Sequence, residues 1–134
     1  MQSHAFVAIV TLLALLTCFG FSIVVARAHV KTGIHAPAMS GDPRLDRAVR
    51  VHYNTLEWLP IFLVSMWLFA IYWNDRAAAG LGMIWIVGRI IYAMGYLSDP
   101  AKRGAGFGIQ ALATLVLVLG ALGRIVYVLA AVGA

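Results

Sequence analysis

Four long apolar stretches decide what this chain can become. They run over roughly 5–26, 48–73, 77–97 and 104–132. Each is long enough to cross about 30 Å of hydrocarbon at about 1.5 Å per residue. Backbone polar groups in lipid must find internal partners, so only helices or a closed barrel are open to such runs. Barrel strands are far shorter and alternate polar with apolar residues, which these runs do not. The sequence therefore predicts an all-α integral membrane four-helix bundle, with one domain over residues 1–134. Composition agrees. The chain is 63% hydrophobic and 11% charged, where soluble domains hold about 45–50% and about 25%.

The connections set the orientation. Loop one, 27–47, is RAHVKTGIHAPAMSGDPRLDR, and its Gly, Pro and Ser predict irregular structure. Loop two is the tight NDR at 74–76, and loop three is SDPAKR at 98–103. Loops one and three share a side and carry Arg27, Lys31, Arg44, Arg47, Lys102 and Arg103, against Arg76 alone in loop two. The positive-inside rule puts the two basic loops in the cytoplasm and both termini outside. The net charge of +5 is thus read as topology, not nucleic-acid binding. The single cysteine, Cys18, lies in an apolar run and reads as a small buried hydrophobe. LLTC at 15–18 resembles a lipoprotein cleavage site only weakly, and the first segment reads as a retained helix. A short chain without a visible sorting signal suggests a bacterial inner membrane.

The chemistry gathers at the basic side. RVHYNTLEW, 50–58, opens the second apolar segment. At about 100° per residue Arg47, Arg50, Asn54 and Glu57 share one face, and His52 points beside it. Arg50 to Glu57 spans about 10 Å along the axis, close to the length of an extended tripeptide. Cations, an amide and a carboxylate in that order suit a peptide-like ligand with carboxylates and an amine. Simple interfacial snorkelling of Arg47 and Arg50 is the alternative. An intramembrane carboxylate such as Glu57 needs a partner or a function. Arg89 in the third segment is predicted at similar depth, where it would either pair with Glu57 or touch the ligand. Tyr92 and Tyr96, one turn apart, share a face with Arg89. They suit either the interfacial aromatic belt or ligand contacts. Asp99 and Pro100 read as an N-cap and first turn, which puts Arg103 beside a helix N-terminus, a favourable place for an anion such as a thiolate. Arg124 reads as an interfacial anchor at the far side. His29 and His35 lack metal-ligand spacing, and no metal motif is present.

The pattern Arg50-x-His52-x-Asn54-x-x-Glu57, together with Arg89, Tyr92, Gly95, Tyr96 and then Arg103, resembles the MAPEG family, membrane-associated proteins in eicosanoid and glutathione metabolism. The resemblance covers nearly the whole chain. It implies a homotrimer with glutathione between adjacent protomers in the cytoplasmic half of the membrane. It implies that Arg50, Asn54, Glu57, Tyr92 and Tyr96 hold glutathione with His52 nearby, that Arg103 stabilises the thiolate, and that Arg27 meets a glutathione carboxylate. The activity implied is that of a glutathione transferase or peroxidase acting on a lipophilic electrophile drawn from the lipid. Two departures stand out. Trp58 replaces a ligand-contacting tyrosine of the leukotriene-forming branch, and the first segment ends in ARAH in place of that branch's double arginine. Two other readings remain: a non-catalytic glutathione- or lipid-binding protein of the same fold, and a small multidrug transporter. The transporter is expected to carry an acid in its first helix, and here that helix has none.

Overall fold

A computed structural model describes residues 3–133. Its helices are α1 (Ala5–Thr32), α2 (Pro43–Tyr72), α3 (Asp75–Ser98) and α4 (Gly104–Ala131), with a 3-10 turn at Pro100–Arg103. All four are long and apolar enough to span a membrane, and no strand occurs among the described residues. This is the predicted four-helix membrane bundle.

Loop one is much shorter than its composition suggested. α1 runs on through Arg27 to Thr32 and ends where Gly33 takes φ 71° and donates its N–H to the His29 carbonyl. α2 begins at Pro43, not 48, because Asp42 caps it. The Asp42 carboxylate accepts from the Arg44 N–H at 2.8 Å, with Pro43 in the first turn. Only 33–42 is left as loop. Loop two is tighter than NDR as well. Asn74 Oδ1 accepts from the Ala77 N–H at 2.7 Å, so Asp75 already belongs to α3. Asp99 does cap, accepting from the Ala101 N–H at 3.0 Å, but the element it caps is the 3-10 turn Pro100–Arg103; α4 starts at Gly104 with Arg103 at its N-cap position and no side-chain cap.

The core is a seam of small and aromatic residues. Trp85 of α3 stacks on Phe62 of α2, centroids 4.0 Å apart and rings within 3° of parallel. Val7, Val10, Ala14 and Cys18 of α1 close over them with Met66 and Leu117, and Cys18 is buried as expected. Large apolar side chains such as Leu12, Leu16, Phe19, Val64 and Leu122 point outward, as lipid permits and water does not. Tight α3–α4 packing rests on two glycines. A Cβ at Gly88 would lie 2.7 Å from the Gln110 nitrogen, and one at Gly106 would fall on the Tyr92 backbone. Membrane helices gain contact by such close approach, since lipid gives no hydrophobic drive between them.

The end away from the basic loops is tied by side chains. The Asp75 carboxylate accepts from the Phe6 and Val7 N–H groups at 3.0 and 3.1 Å, capping α1 from the α2–α3 turn. Arg124 donates Nε to the Tyr72 carbonyl and lies over the Trp73 and Tyr127 rings, as an interfacial anchor would.

Two outcomes follow. Gly106→Ala is expected to lower stability by about 3 kcal/mol, at the top of the overpacking range, because backbone must move. Gly108→Ala, with open space beside it, should not. Thermal unfolding in detergent separates them. Arg44 holds the Asp42 carboxyl below the usual carboxylate range, through a side-chain hydrogen bond first of all. The cap's contribution is therefore full above about pH 3.9, the ordinary Asp value, and fades as pH falls through the lower folded value. Faster amide exchange in the first turn of α2 only at that acid extreme is the expected readout.

Candidate functional site

Three helix ends meet on the side of loops one and three: the start of α2, the end of α3 and the start of α4. They enclose a cleft of about 360 Å³ lined by Arg50, Asn54, Tyr92, Tyr96, Arg103 and Phe107. Five of these are residues the sequence singles out, and they come from three separate segments. The lining holds two cations, an amide and two phenols, and no carboxylate. Such a wall favours an anion, and the guanidinium of Arg103 lies exposed at its mouth, where Nη1 donates to the Pro100 carbonyl at 3.1 Å.

Arg89 is the anchor beneath the cleft. It is 0% exposed. Nη1 donates to Asn54 Oδ1 at 2.9 Å and Nη2 to Thr55 Oγ1 at 2.7 Å. The guanidinium carbon sits 4.3 Å from the Tyr92 ring centroid and 5.9 Å from that of Trp85. The possible pairing of Arg89 with Glu57 is not formed. Glu57 lies outward, 4.0 Å from Arg50 Nη1, and both side chains are more than half exposed. Thr55 and Asn54 reach Arg89 from α2, two and three residues before Glu57, which turns away within a single helical turn. Neutral dipoles and aromatic faces, not an acid, hold the buried cation.

The other expected residues fall differently. His52 is half-buried and stacks beside Tyr53 at 6.0 Å, outside the cleft lining. Arg27 lines a separate cleft with Lys31, Arg44, Ala48 and Leu97, so the fold does not bring it to the others. Arg47, on the same stripe as Arg50, donates to the Leu97 and Ser98 carbonyls at 3.4 and 3.2 Å. A cation there satisfies the C-terminal carbonyls of α3 and its dipole. Trp58 meets the Phe107 ring edge-on, centroids 5.5 Å apart, and so buttresses the cleft wall. Sequence reasoning missed Phe107, although its place one turn after Arg103 could have flagged it. It also missed Thr55, which looked like a neutral neighbour of Asn54. Among the described residues no cluster of acids, histidines and cysteine could hold a metal ion.

A comparison with known families finds the MAPEG family model matching residues 6–123. The chain belongs to the MAPEG family. Among curated relatives, the MAPEG chain is 45% identical to an uncharacterised protein of Synechocystis over 115 residues, covering 86% of this chain and 84% of that one. It is 39% identical to human microsomal glutathione S-transferase 2 over 107 residues, 77% of this chain and 71% of the relative. It is 34% identical to leukotriene C4 synthase of Cavia porcellus over 128 residues, 95% of this chain and 85% of the relative. The expected MAPEG resemblance is thereby established, and with it an integral, multi-pass membrane protein.

Within this MAPEG bundle Tyr92 does more than line the cleft. Its ring covers the Arg89 guanidinium away from water, where a cation–π contact is worth about 2 kcal/mol. Tyr92→Leu is expected to cost about 2–3 kcal/mol of stability. Tyr96→Leu, on a half-buried ring with no such duty, should cost well under that. Parallel thermal melts of the two variants check the difference.

Proposed function

We propose that this protein is a glutathione-dependent membrane transferase/peroxidase acting on lipophilic electrophiles through an arginine-stabilised thiolate. The observation that carries the reading is the convergence of Arg50, Asn54, Tyr92, Tyr96 and Arg103 on one carboxylate-free cleft at the end of the bundle. Two relatives named for glutathione transfer and leukotriene synthesis support it.

Glutathione carries two carboxylates, an amine and a thiol. In this reading Arg50 meets a carboxylate, Asn54 and the tyrosines meet the peptide, and Glu57, next to Arg50, takes the amine. Arg103 faces the sulfur. A free thiol has a pKa of about 8.5, and nearby cations lower it to neutrality or below. A drop of about two units corresponds to about 2.7 kcal/mol of preference for the thiolate. The thiolate then attacks an electrophile supplied by the lipid, and Arg103 stabilises the anion before the new bond forms. The protein works as a homotrimer in this account. Arg27 and His52, which lie outside a single protomer's cleft, would complete the site from across a subunit boundary. The distribution of lysine and arginine supports an orientation with both basic loops cytoplasmic, in what this reading takes to be a bacterial inner membrane.

Thiolate absorbance of glutathione bound to the detergent-purified protein tests this directly. Saturating glutathione should generate a thiolate signal near neutral pH that Arg103→Ala removes, with conjugation to a model electrophile falling about 100-fold, the equivalent of two pKa units. A signal unchanged in Arg103→Ala would overturn the arginine's role. Binding with no turnover across electrophiles and hydroperoxides would favour a non-catalytic binder.

A further inference from the structure

Asn54 is a cleft residue whose side-chain amide is hydrogen-bonded to the buried interior. Its Oδ1 accepts from Arg89 Nη1 at 2.9 Å. Arginine has five donors and no acceptor, so the oxygen of the amide must face Arg89 and the Nδ2 group must face the other way. Arg89 cannot turn to release it. The guanidinium is fully buried, its second arm is held by Thr55, and the Tyr92 ring lies against it. Nδ2 has no protein partner among the described residues, and Asn54 lines the cleft.

We infer that Arg89 is a positioning residue that locks Asn54 as a hydrogen-bond donor toward the cleft, so that position 54 selects an acceptor on the ligand, a peptide carbonyl or a carboxylate, and rejects an amine. This rests on the glutathione reading and gives it an orientation. The ammonium end of the tripeptide must lie away from Asn54, toward Glu57, and an acceptor must lie over Asn54. It also revises the expected role of Arg89, which acts through Asn54 and does not touch the ligand.

Asn54→Asp separates this from a structural role. The carboxylate is nearly isosteric, finds Arg89 already buried without an acid, and offers the cleft only an acceptor. Expected is a Tm equal to or above the wild type, with glutathione affinity measured by calorimetry falling roughly 10- to 100-fold, the worth of a hydrogen bond to a charged group. Arg89→Gln frees the amide to turn over, so affinity should fall there too with Asn54 intact. Wild-type affinity in Asn54→Asp overturns the inference, because the amide then presents its oxygen to the ligand. A Tm lowered as far as that of Arg89→Gln overturns it as well, since an acceptor kept at position 54 preserves the contact with Arg89 that the inference rests on. The melting arm reads the Arg89–Asn54 contact whether or not glutathione binds. Failure of the wild type to bind glutathione counts against the proposed function alone.

Discussion

A guanidinium sealed inside a membrane bundle needs partners, because neither lipid nor bundle core offers it water. Arg89 finds them in an amide, a hydroxyl and two aromatic faces, with no carboxylate. An intramembrane charge is expensive and usually functional, and a buried charge left unpaired is the worst case. The arrangement therefore fixes much around it. Asn54, Thr55, Trp85 and Tyr92 all meet this one side chain. Because Arg89 is not neutralised by an acid, its positive charge also remains available under a cleft already flanked by Arg50 and Arg103.

The bundle lets that cation exist at this depth. Gly88 and Gly106 bring α3 and α4 to backbone contact, which sets Tyr92 and Tyr96 against Arg103 and Phe107. The Trp85–Phe62 stack fills the volume below. At the opposite end Asp75 and Arg124 satisfy helix termini with side chains. The site is thus built where three helix ends converge, on elements held by packing.

The fold was largely legible because uninterrupted apolar runs allow so little else. The boundaries were less so. Asp99-Pro100 reads as a cap and first turn and does open the 3-10 turn that leads into α4, whereas the same pair at Asp42-Pro43 is masked by a Gly- and Pro-rich loop. The helical continuation of α1 to Thr32 was hidden by its polar residues. At the site, helical periodicity found Arg50 and Asn54, and the arrangement of α3 and α4 brought Tyr92, Tyr96 and Arg103 to them. Periodicity could not decide which way neighbours on α2 turn at the level of Arg89. It made Glu57 a natural partner for the buried arginine, whereas the packing gives that place to Asn54 and Thr55. Pairing across helices depends on depth and on how each helix is rotated toward its neighbour, and a one-dimensional pattern supplies depth but not that mutual rotation. Arg27 and His52 also fall outside the cleft lining, because a shared segment or face does not bring residues to one cavity.

The central claim is that this cleft recognises a tripeptide thiol. Thermal unfolding of the detergent-purified protein with glutathione, compared with cysteine and other small thiols, tests it most directly. A ligand at about 100 times its Kd stabilises a folded protein by about 2.7 kcal/mol. The account expects a clear rise in Tm with glutathione and little with thiols that lack the flanking carboxylates and peptide bonds. An equal response to every thiol, or none to glutathione, would contradict it.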